Sequence, residues 1–348
     1  MGLTRRNNAI TDVPGIEVGH YDRNHTGTTV VFVRNGAVGG VDVRGSAPGS
    51  RETDLLDPTN LVDRVNAVVL SGGSAYGLAT ADGVMLWLEE KKIGWPVEGG
   101  NVIPIVPAAV LYDPGRFGRA FRDRPGPDFG RKACENASPG PVSMGNVGAG
   151  AGAISGGLKG GLGTASSDLG HGVIVGAIVA VNSAGSTVNP KTGEFYAKYL
   201  EVGKEFGGLT APFPSAGLPV GQTSQVIRDT EGEPVKNTTI AVVATNVQLT
   251  KARARKIAEM AHDGLARAVR PVHTLFDGDT IFSLATGELD PAALREQAAW
   301  GDIAACVNKI GAAAADTLSR AIVHAMLNAR TVGEVPCYRD RYPEAFKK

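Results

Sequence analysis

The sequence predicts a layered α/β sandwich, and three observations carry that reading. Short apolar runs rich in β-branched residues recur at 28–33, 65–70, 173–181 and 238–245. Segments with an apolar stripe at helical spacing lie at 78–92, 250–269 and 302–328. Several consecutive strand-like runs have no helix between them, which a purely parallel, doubly wound sheet would require. Directly neighbouring strands with helices packed outside satisfy all three.

Taken in order, residues 11–35 read as short strands with turns, TDVPGIEVGH and then TGTTVVFVRNG. Residues 39–60 are glycine-rich and polar, end in RETDLLDPTN, and read as loop plus a short helix. The mostly apolar run VNAVVL at 65–70 reads as a strand buried on both faces. SGGSAYG follows, and then residues 78–92 carry Leu78, Ala81, Val84, Leu86 and Leu88 before closing on Glu89, Glu90, Lys91 and Lys92, so that strand, glycine turn and helix succeed one another. Residues 113–140, rich in Pro, Gly, Arg and Asp, read as a long irregular surface segment. The densest glycine lies at 145–172. A phosphate cradle is set aside there because Lys159 is followed by Gly160 and Gly161 rather than by the Lys-Ser/Thr ending of a P-loop.

A second buried strand, 173–181, ends at Asn182. Residues 200–237 are polar and proline-bearing, as an exposed linker would be. The pattern changes abruptly at Thr238, where TTIAVVAT reads as a strand. Thr250 is placed to N-cap a helix whose Ala254, Ile257, Ala261 and Leu265 share one face. A short strand at 280–284 follows Asp277-Gly278-Asp279. The last long helix, 302–328, carries Ile303, Val307, Ile310, Leu318 and Ile322. No internal repeat is visible.

Composition narrows the function classes. The 348 residues include 35 Lys+Arg and 35 Asp+Glu, so nothing electrostatic argues for nucleic acid or an anionic membrane as partner. Hydrophobic residues at 43% and charged residues at 20% describe an ordinary globular chain, long enough for one large domain or two. Glycine, with 47 residues, stands at roughly double its usual share. It has no three-residue period and clusters beside apolar runs, which points to tight turns and close backbone approach. Cys134, Cys306 and Cys337 show neither disulfide nor metal spacing, and the six histidines form no H-E-x-x-H pattern. Catalytic zinc is therefore set aside. MGLTRRNNAI lacks a following signal-peptide core and no apolar run would span a bilayer, so a cytoplasmic protein is expected. Without a secretory signal, the glycosylation-type triplets at Asn136 and Asn237 are taken as chance.

Three groups of residues could do chemistry. At Asn237-Thr238 a polar linker meets a buried strand. If the chain is cut before Thr238, the new α-amine, with an ordinary pKa of roughly 7.7–8.0, becomes a base beside the threonine hydroxyl. The same hydroxyl could make the cut by attacking the Asn237 carbonyl. Read locally, Thr238 and Thr239 are simply two β-branched residues opening a strand. Asp277 and Asp279, two residues apart, point to one side of an extended chain and could hold the amine, although a turn with glycine at its apex is the plainer local reading. Asn182 ends a buried strand, where its amide could donate to an oxyanion or merely complete a turn. Tyr112 and Lys159 belong to no intrinsic motif; the plain readings are a half-buried core aromatic and a solvated loop lysine. Ser71 and Ser74 lie in a strand–turn–helix context but lack the G-x-S-x-G pattern of a nucleophile elbow.

Taken together, TDVPGIEVGH, RETDLLDP, VVLSGGSAYGL, AAVLYD, the strand ending at Asn182 and NTTIAVVATN occur in an order that resembles the DmpA family of self-processing aminopeptidases and amidases. The resemblance covers nearly the whole chain. It implies a four-layer αββα sandwich, also found in the ornithine acetyltransferases. It also implies self-cleavage of the single unit 1–348 into an α chain, 1–237, and a β chain, 238–348. Classical members carry serine where this chain has Thr238, and serine and glutamate where it has Asp277 and Asp279. The threonine, the Asp-Gly-Asp pair and Lys159 are more similar to the nylon-oligomer hydrolase (NylC) branch. By that resemblance Thr238 is the nucleophile, with Asn182, Lys159, Asp277, Asp279 and Tyr112 as catalytic partners. An acyl-threonine forms and is hydrolysed without metal or organic cofactor. The implied substrates are small peptides or linear amides, 6-aminohexanoate oligomers among them, and the implied assembly is a homotetramer of processed units. The alternatives are acyl transfer of the ornithine acetyltransferase type, a D-alanyl or β-peptide aminopeptidase specificity, or a non-catalytic binding protein on the same fold.

Overall fold

The computed structural model describes residues 6–212, 237–295 and 300–347. Thirteen strands are present among them: β1 (Ile16–Arg23), β2 (Thr26–Val43), β3 (Ser50–Arg51), β4 (Arg64–Ser71), β5 (Trp95–Val97), β6 (Asn101–Ile103), β7 (Ala108–Val110), β8 (Ile154–Ser155), β9 (Leu158–Lys159), β10 (Gly161–Asp168), β11 (Ile174–Val181), β12 (Ile240–Val247) and β13 (Thr280–Leu289). The α-helices are α1 (Thr80–Glu90), α2 (Pro127–Glu135), α3 (Lys251–Ala268), α4 (Pro291–Arg295), α5 (Ile303–Asn328) and α6 (Tyr338–Arg341).

Nine strands form one hydrogen-bonded sheet: eight follow the order β10-β11-β12-β13-β2-β4-β7-β3, and β1 pairs with β2 off that path. The long β2 makes the layering possible. Its first half pairs with β1 and β4, and its second half, from Val38 to Val43, pairs with β13. Its register against β4 shifts between Phe32 and Ala37, and Gly36 takes φ +68° there. Such an irregularity bends a strand and increases its twist. The path is thereby doubled over, so that what the resemblance implies as two stacked sheets is one ribbon folded on itself.

Side-chain alternation then fills three apolar cores between four layers. Ile178, Ala180, Ile240, Val242 and Phe282 meet Val31, Val68 and Leu70 in the middle. Val179, Val181, Ala241, Val243 and Ile281, on the opposite face, pack against Ile257, Ala261, Ile310 and Leu318 of α3 and α5. Val30, Phe32, Ala67 and Val69 pack against Val84 and Leu88 of α1 and Ala133 of α2. The architecture is the αββα sandwich.

Several sequence expectations are corrected in detail. The segment 113–140 contains α2, whose Phe129, Gly130, Ala133 and Cys134 are buried, so it is not wholly an irregular surface segment. The glycine-dense stretch 145–172 contains β10. Gly145, Gly161 and Gly163 of this stretch lie against α5: a Cβ on Gly163 would stand 2.1 Å from the Ala321 carbonyl oxygen. β2 runs on to Val43 rather than ending near residue 33, because β13 pairs with its second half. Of the expected linker at 200–237, residues 213–236 lie outside the described residues. The Thr250 cap holds, its hydroxyl accepting from Arg253 N at 3.4 Å, and α5 has a cap that the sequence reading did not name, the Asp302 carboxylate accepting from Ala305 N at 2.9 Å.

The α3–α5 contact offers a clean test of close packing. A Cβ at Gly264 would lie 2.2 Å from the Ala315 carbonyl oxygen. Helix propensity favours alanine over glycine by about 1 kcal/mol, whereas overpacking costs about 1–3 kcal/mol. Gly264→Ala is therefore expected to lower the guanidinium unfolding midpoint; an unchanged or raised midpoint would mean that the helices yield freely.

Candidate active site

The site forms where β11, β12 and β13 end together. β12 lies antiparallel to β11, with Ala180 opposite Ile240, and parallel to β13, with Ile240 opposite Thr280. Continuing both registers two residues outward brings Asn182, Thr238 and Gly278 side by side. The strand itself begins at Ile240, so Thr238 precedes it by two residues instead of opening it.

Hydrogen bonds hold the Asn237–Thr238 peptide on all sides. Thr238 N donates to the Asn182 carbonyl at 2.7 Å, and Gly278 N donates to the Asn237 carbonyl at 3.2 Å. Asn237 N donates to the Phe276 carbonyl at 3.2 Å. The Thr238 hydroxyl donates to that same Asn237 carbonyl at 2.5 Å. Asn237 and Thr238 are only 6% and 5% exposed, so this carbonyl and hydroxyl face each other away from bulk water.

The two aspartates flank this peptide, and both carboxyls are buried. Asp279 Oδ1 accepts from Thr239 N at 2.8 Å, and its Oδ2 accepts from His273 N at 3.2 Å and lies 2.8 Å from His273 Nδ1. Asp277 accepts from Ala184 N at 3.1 Å and from the Thr274 amide and hydroxyl at 2.9 and 2.6 Å. Burial, and then the neighbouring Asp279 charge, raise the Asp277 carboxyl above its ordinary value. The pair are thus supports of the threonine segment, as well as the ends of a turn.

Asn182 is fully buried. Its Oδ1 accepts from Arg116 at 2.5 Å and from Ile154 N at 3.0 Å, while its Nδ2 lies 3.5 Å from the Tyr112 carbonyl. Tyr112 is half-buried, and the Arg116 guanidinium sits over its ring, 5.9 Å from the centroid. Lys159 is not a solvated loop residue. It pairs with Ile154 across β8 and β9, is fully buried, and donates to the Gly150 and Gly160 carbonyls at 3.1 and 2.8 Å. Among the described residues no hydrogen bond joins it to Thr238. Ser71, the other nucleophile considered, shares a 2.9 Å bond with the Thr28 hydroxyl inside the sheet.

Sequence reasoning missed Arg116 and His273. Neither belongs to a motif. Arg116 fell in a stretch read as surface loop, and His273 gains meaning only from the carboxylate that the fold sets against it. Behind His273, the His262 ring stacks edge-on at 4.9 Å, and burial pulls His262 down to about 4.

The structure thus sets a buried threonine hydroxyl on a peptide carbonyl, with two buried carboxylates bonded to the neighbouring backbone. The model of peptidase family S58, the DmpA family, matches residues 8–336, and the chain belongs to that family. An uncharacterized aminopeptidase of Mycobacterium tuberculosis is 49% identical over 97% of this chain and 99% of its own length. The 6-aminohexanoate-oligomer endohydrolase of Paenarthrobacter ureafaciens is 29% identical over 90% of this chain and 84% of its own. In fold, a Burkholderia β-aminopeptidase aligns with a TM-score of 0.68 at 22% identity, covering 100% of this chain and 97% of that one. The L-aminopeptidase D-Ala-esterase/amidase of Ochrobactrum anthropi, of the Ntn hydrolase fold, aligns at 0.67 and 22%, covering 99% and 97%. The protein is an aminopeptidase or amidase, a hydrolase of amide bonds. No helix among the described residues is long and apolar enough to cross a membrane.

Lys159 gives this site a measurable signature. Burial first, and the Arg116 charge second, pull its ammonium from 10.5 down to about 7, with Asp113 opposing. Between those two values the unfolded chain binds the proton and the folded chain does not, so this group makes the fold more stable as pH rises through that window. The stability of the wild type relative to Lys159→Met should therefore rise between about pH 7 and pH 10, followed by denaturant unfolding at each pH. A pH-independent difference would contradict a depressed lysine.

Proposed function

We propose that the chain cuts itself between Asn237 and Thr238 and then hydrolyses small peptides or linear amides with Thr238 as nucleophile. The observation that carries this reading is the Thr238 hydroxyl on the Asn237 carbonyl at 2.5 Å, with Gly278 N donating to the same oxygen. In the first reaction Oγ1 bonds to the Asn237 carbonyl carbon, and the oxyanion that develops is met by the Gly278 N–H. The C–N bond breaks, the Thr238 nitrogen takes the proton, and an Asn237 ester remains on the threonine. Water hydrolyses that ester, leaving an Asn237 carboxylate and a free Thr238 α-amine.

In turnover the amine, an ordinary base near neutral pH, accepts the Oγ1 proton as the hydroxyl adds to a substrate amide. Asn182 Nδ2 donates to the oxyanion. Asp279 anchors the backbone next to the nucleophile through Thr239 N, and Asp277 anchors the turn at 184 through Ala184 N. The leaving amine departs protonated, and water releases the acyl group. Lys159 and Tyr112 complete the site, Lys159 as a base whose ammonium is drawn down to about 7 by burial, so that it can exchange a proton near neutrality. The similarity to a 6-aminohexanoate-oligomer endohydrolase supports including linear aminoalkanoyl amides among the substrates. The exposed apolar residues Trp95, Val97 and Ile103 on the β5–β6 hairpin support assembly into the homotetramer of processed units.

Denaturing electrophoresis of the purified protein should resolve fragments of 237 and 111 residues. Thr238→Ala should stay one chain and lose at least about 10³-fold in kcat, while Thr238→Ser should retain both cleavage and measurable turnover. An active wild type that remains uncut would sink this reading. A panel of aminoacyl amides, β-peptides, D-alanyl amides and 6-aminohexanoate oligomers should give hydrolysis, with the best kcat/KM on a linear unbranched amide. Transfer from acetylornithine to glutamate in place of hydrolysis would instead favour an acyltransferase.

A further inference from the structure

The turn after β7 carries a cation that no catalytic step above uses. It runs from Tyr112 to Arg119 and is held in a costly backbone shape: Gly115 and Gly118 take φ of +76° and +73°, and Phe117 between them takes φ +57°. A left-handed aromatic residue costs on the order of 1–3 kcal/mol and persists only where its surroundings over-determine it. Those surroundings are visible. Asp113 is fully buried and accepts from the Thr26 hydroxyl at 2.8 Å, from Gly73 N at 2.8 Å and from Arg119 at 3.0 Å. Arg119 in turn donates to the carbonyls of Asn24, His25 and Asp113. The base of the turn is thereby fixed to β1, β2 and the glycine turn after β4.

What this rigid turn presents is Arg116. Its guanidinium donates to Asn182 Oδ1 at 2.5 Å and to the Gly152 carbonyl at 2.9 Å. With Ile154 N as the second donor, Asn182 Oδ1 has both lone-pair directions occupied. The amide is then barred from flipping, and its Nδ2, with one N–H toward the Tyr112 carbonyl at 3.5 Å, keeps the other for donation. A charge-assisted bond on the carbonyl oxygen also polarises the amide and strengthens its N–H as a donor.

We propose that Arg116 is a positioning residue that locks the Asn182 side chain with Nδ2 facing the acyl oxygen and polarises it as an oxyanion donor. This deepens, and rests on, the reading of Asn182 given under Proposed function. Its range is also bounded. In self-cleavage the Asn237 carbonyl is met by Gly278 N, so Arg116 serves turnover rather than maturation. The same guanidinium is one of two charges bearing on Lys159, the other being Asp113, whose own charge is paired with Arg119. Removing the Arg116 charge therefore moves the lysine back toward its ordinary value.

The test is a double-mutant cycle on processed protein. Arg116→Ala should still yield the two fragments but lose roughly 10- to 100-fold in kcat, with KM little changed; loss of one oxyanion donor costs roughly 10²–10³-fold. In an Asn182→Ala background the same change should cost little, because the residue it acts through is gone. Arg116→Lys, which retains a charge and a donor, should recover part of the loss. The acid limb of the kcat–pH profile should move to higher pH in Arg116→Gln and not in Arg116→Lys. An Arg116→Ala chain that stays uncut, that keeps wild-type kcat, or that loses as much in the Asn182→Ala background overturns the proposal. Failure of the underlying reading looks different: Asn182→Ala by itself would then retain wild-type kcat, whatever Arg116 does.

Discussion

The site depends on one constraint, the register of β12 between its two neighbours. Ile240 lies opposite Ala180 on one side and Thr280 on the other. Because side chains alternate with period two, a slip of one residue would turn Val242 and Val243 to the wrong cores and would also separate Thr238 from Asn182 and Gly278. The apolar faces therefore specify the same register that the proposed chemistry needs. Ile240, Val242 and Ala244 belong to the central core, while Ala241 and Val243 belong to the core under the helices. Burial on both faces makes a slip costly, and the reacting groups inherit that precision.

Burial has a second consequence. Asp277, Asp279, Asn182 and Lys159 are each within 1% of complete burial, and a buried polar group is tolerated only where its partners are supplied. Backbone amides supply most of them: Ala184, Thr239, His273 and Thr274 donate to the aspartates, and Ile154 donates to Asn182. Such donors are fixed by the fold and need no reorganisation when charge develops, which is the property electrostatic catalysis exploits. Lys159 is the exception in kind. Its two carbonyl partners satisfy hydrogen bonds but bring no counter-charge, so the low dielectric and Arg116 act on it and favour the neutral amine.

Glycine has a comparable double role. At Gly163 and Gly264 the neighbouring carbonyl lies where a Cβ would be, so α5 sits down on β10 and on α3 at backbone distance. The long helix closes the core beneath β11 and β12 and so keeps the strands that carry the site in place. The glycine excess is in the sequence a sign of tight turns and close approach, and at these two positions close approach is what seats the outermost helix.

By itself the sequence determined what local patterns encode. Alternating and continuous apolar runs marked β4, β11 and the existence of β12, whose start they placed two residues early. A capping threonine marked the start of α3, a helical apolar stripe marked α5, and the ordered motif set marked the family. Those features are local because period, caps and turns are written within a few residues. The tertiary structure decided whatever depends on distant chain segments. It extended β2 to Val43 by pairing it with β13, and made α2 a core element within a stretch of surface-like composition. It buried Lys159 and brought Arg116 and His273 to Asn182 and Asp279 from segments 66 and 6 residues away. At Asn237–Thr238 the sequence supplied a hydroxyl beside a peptide bond, as many chains do. Only the pairing of three strand ends put that hydroxyl on the carbonyl with donors around it, because hydrogen-bond geometry between segments is a property of register, not of neighbouring residues.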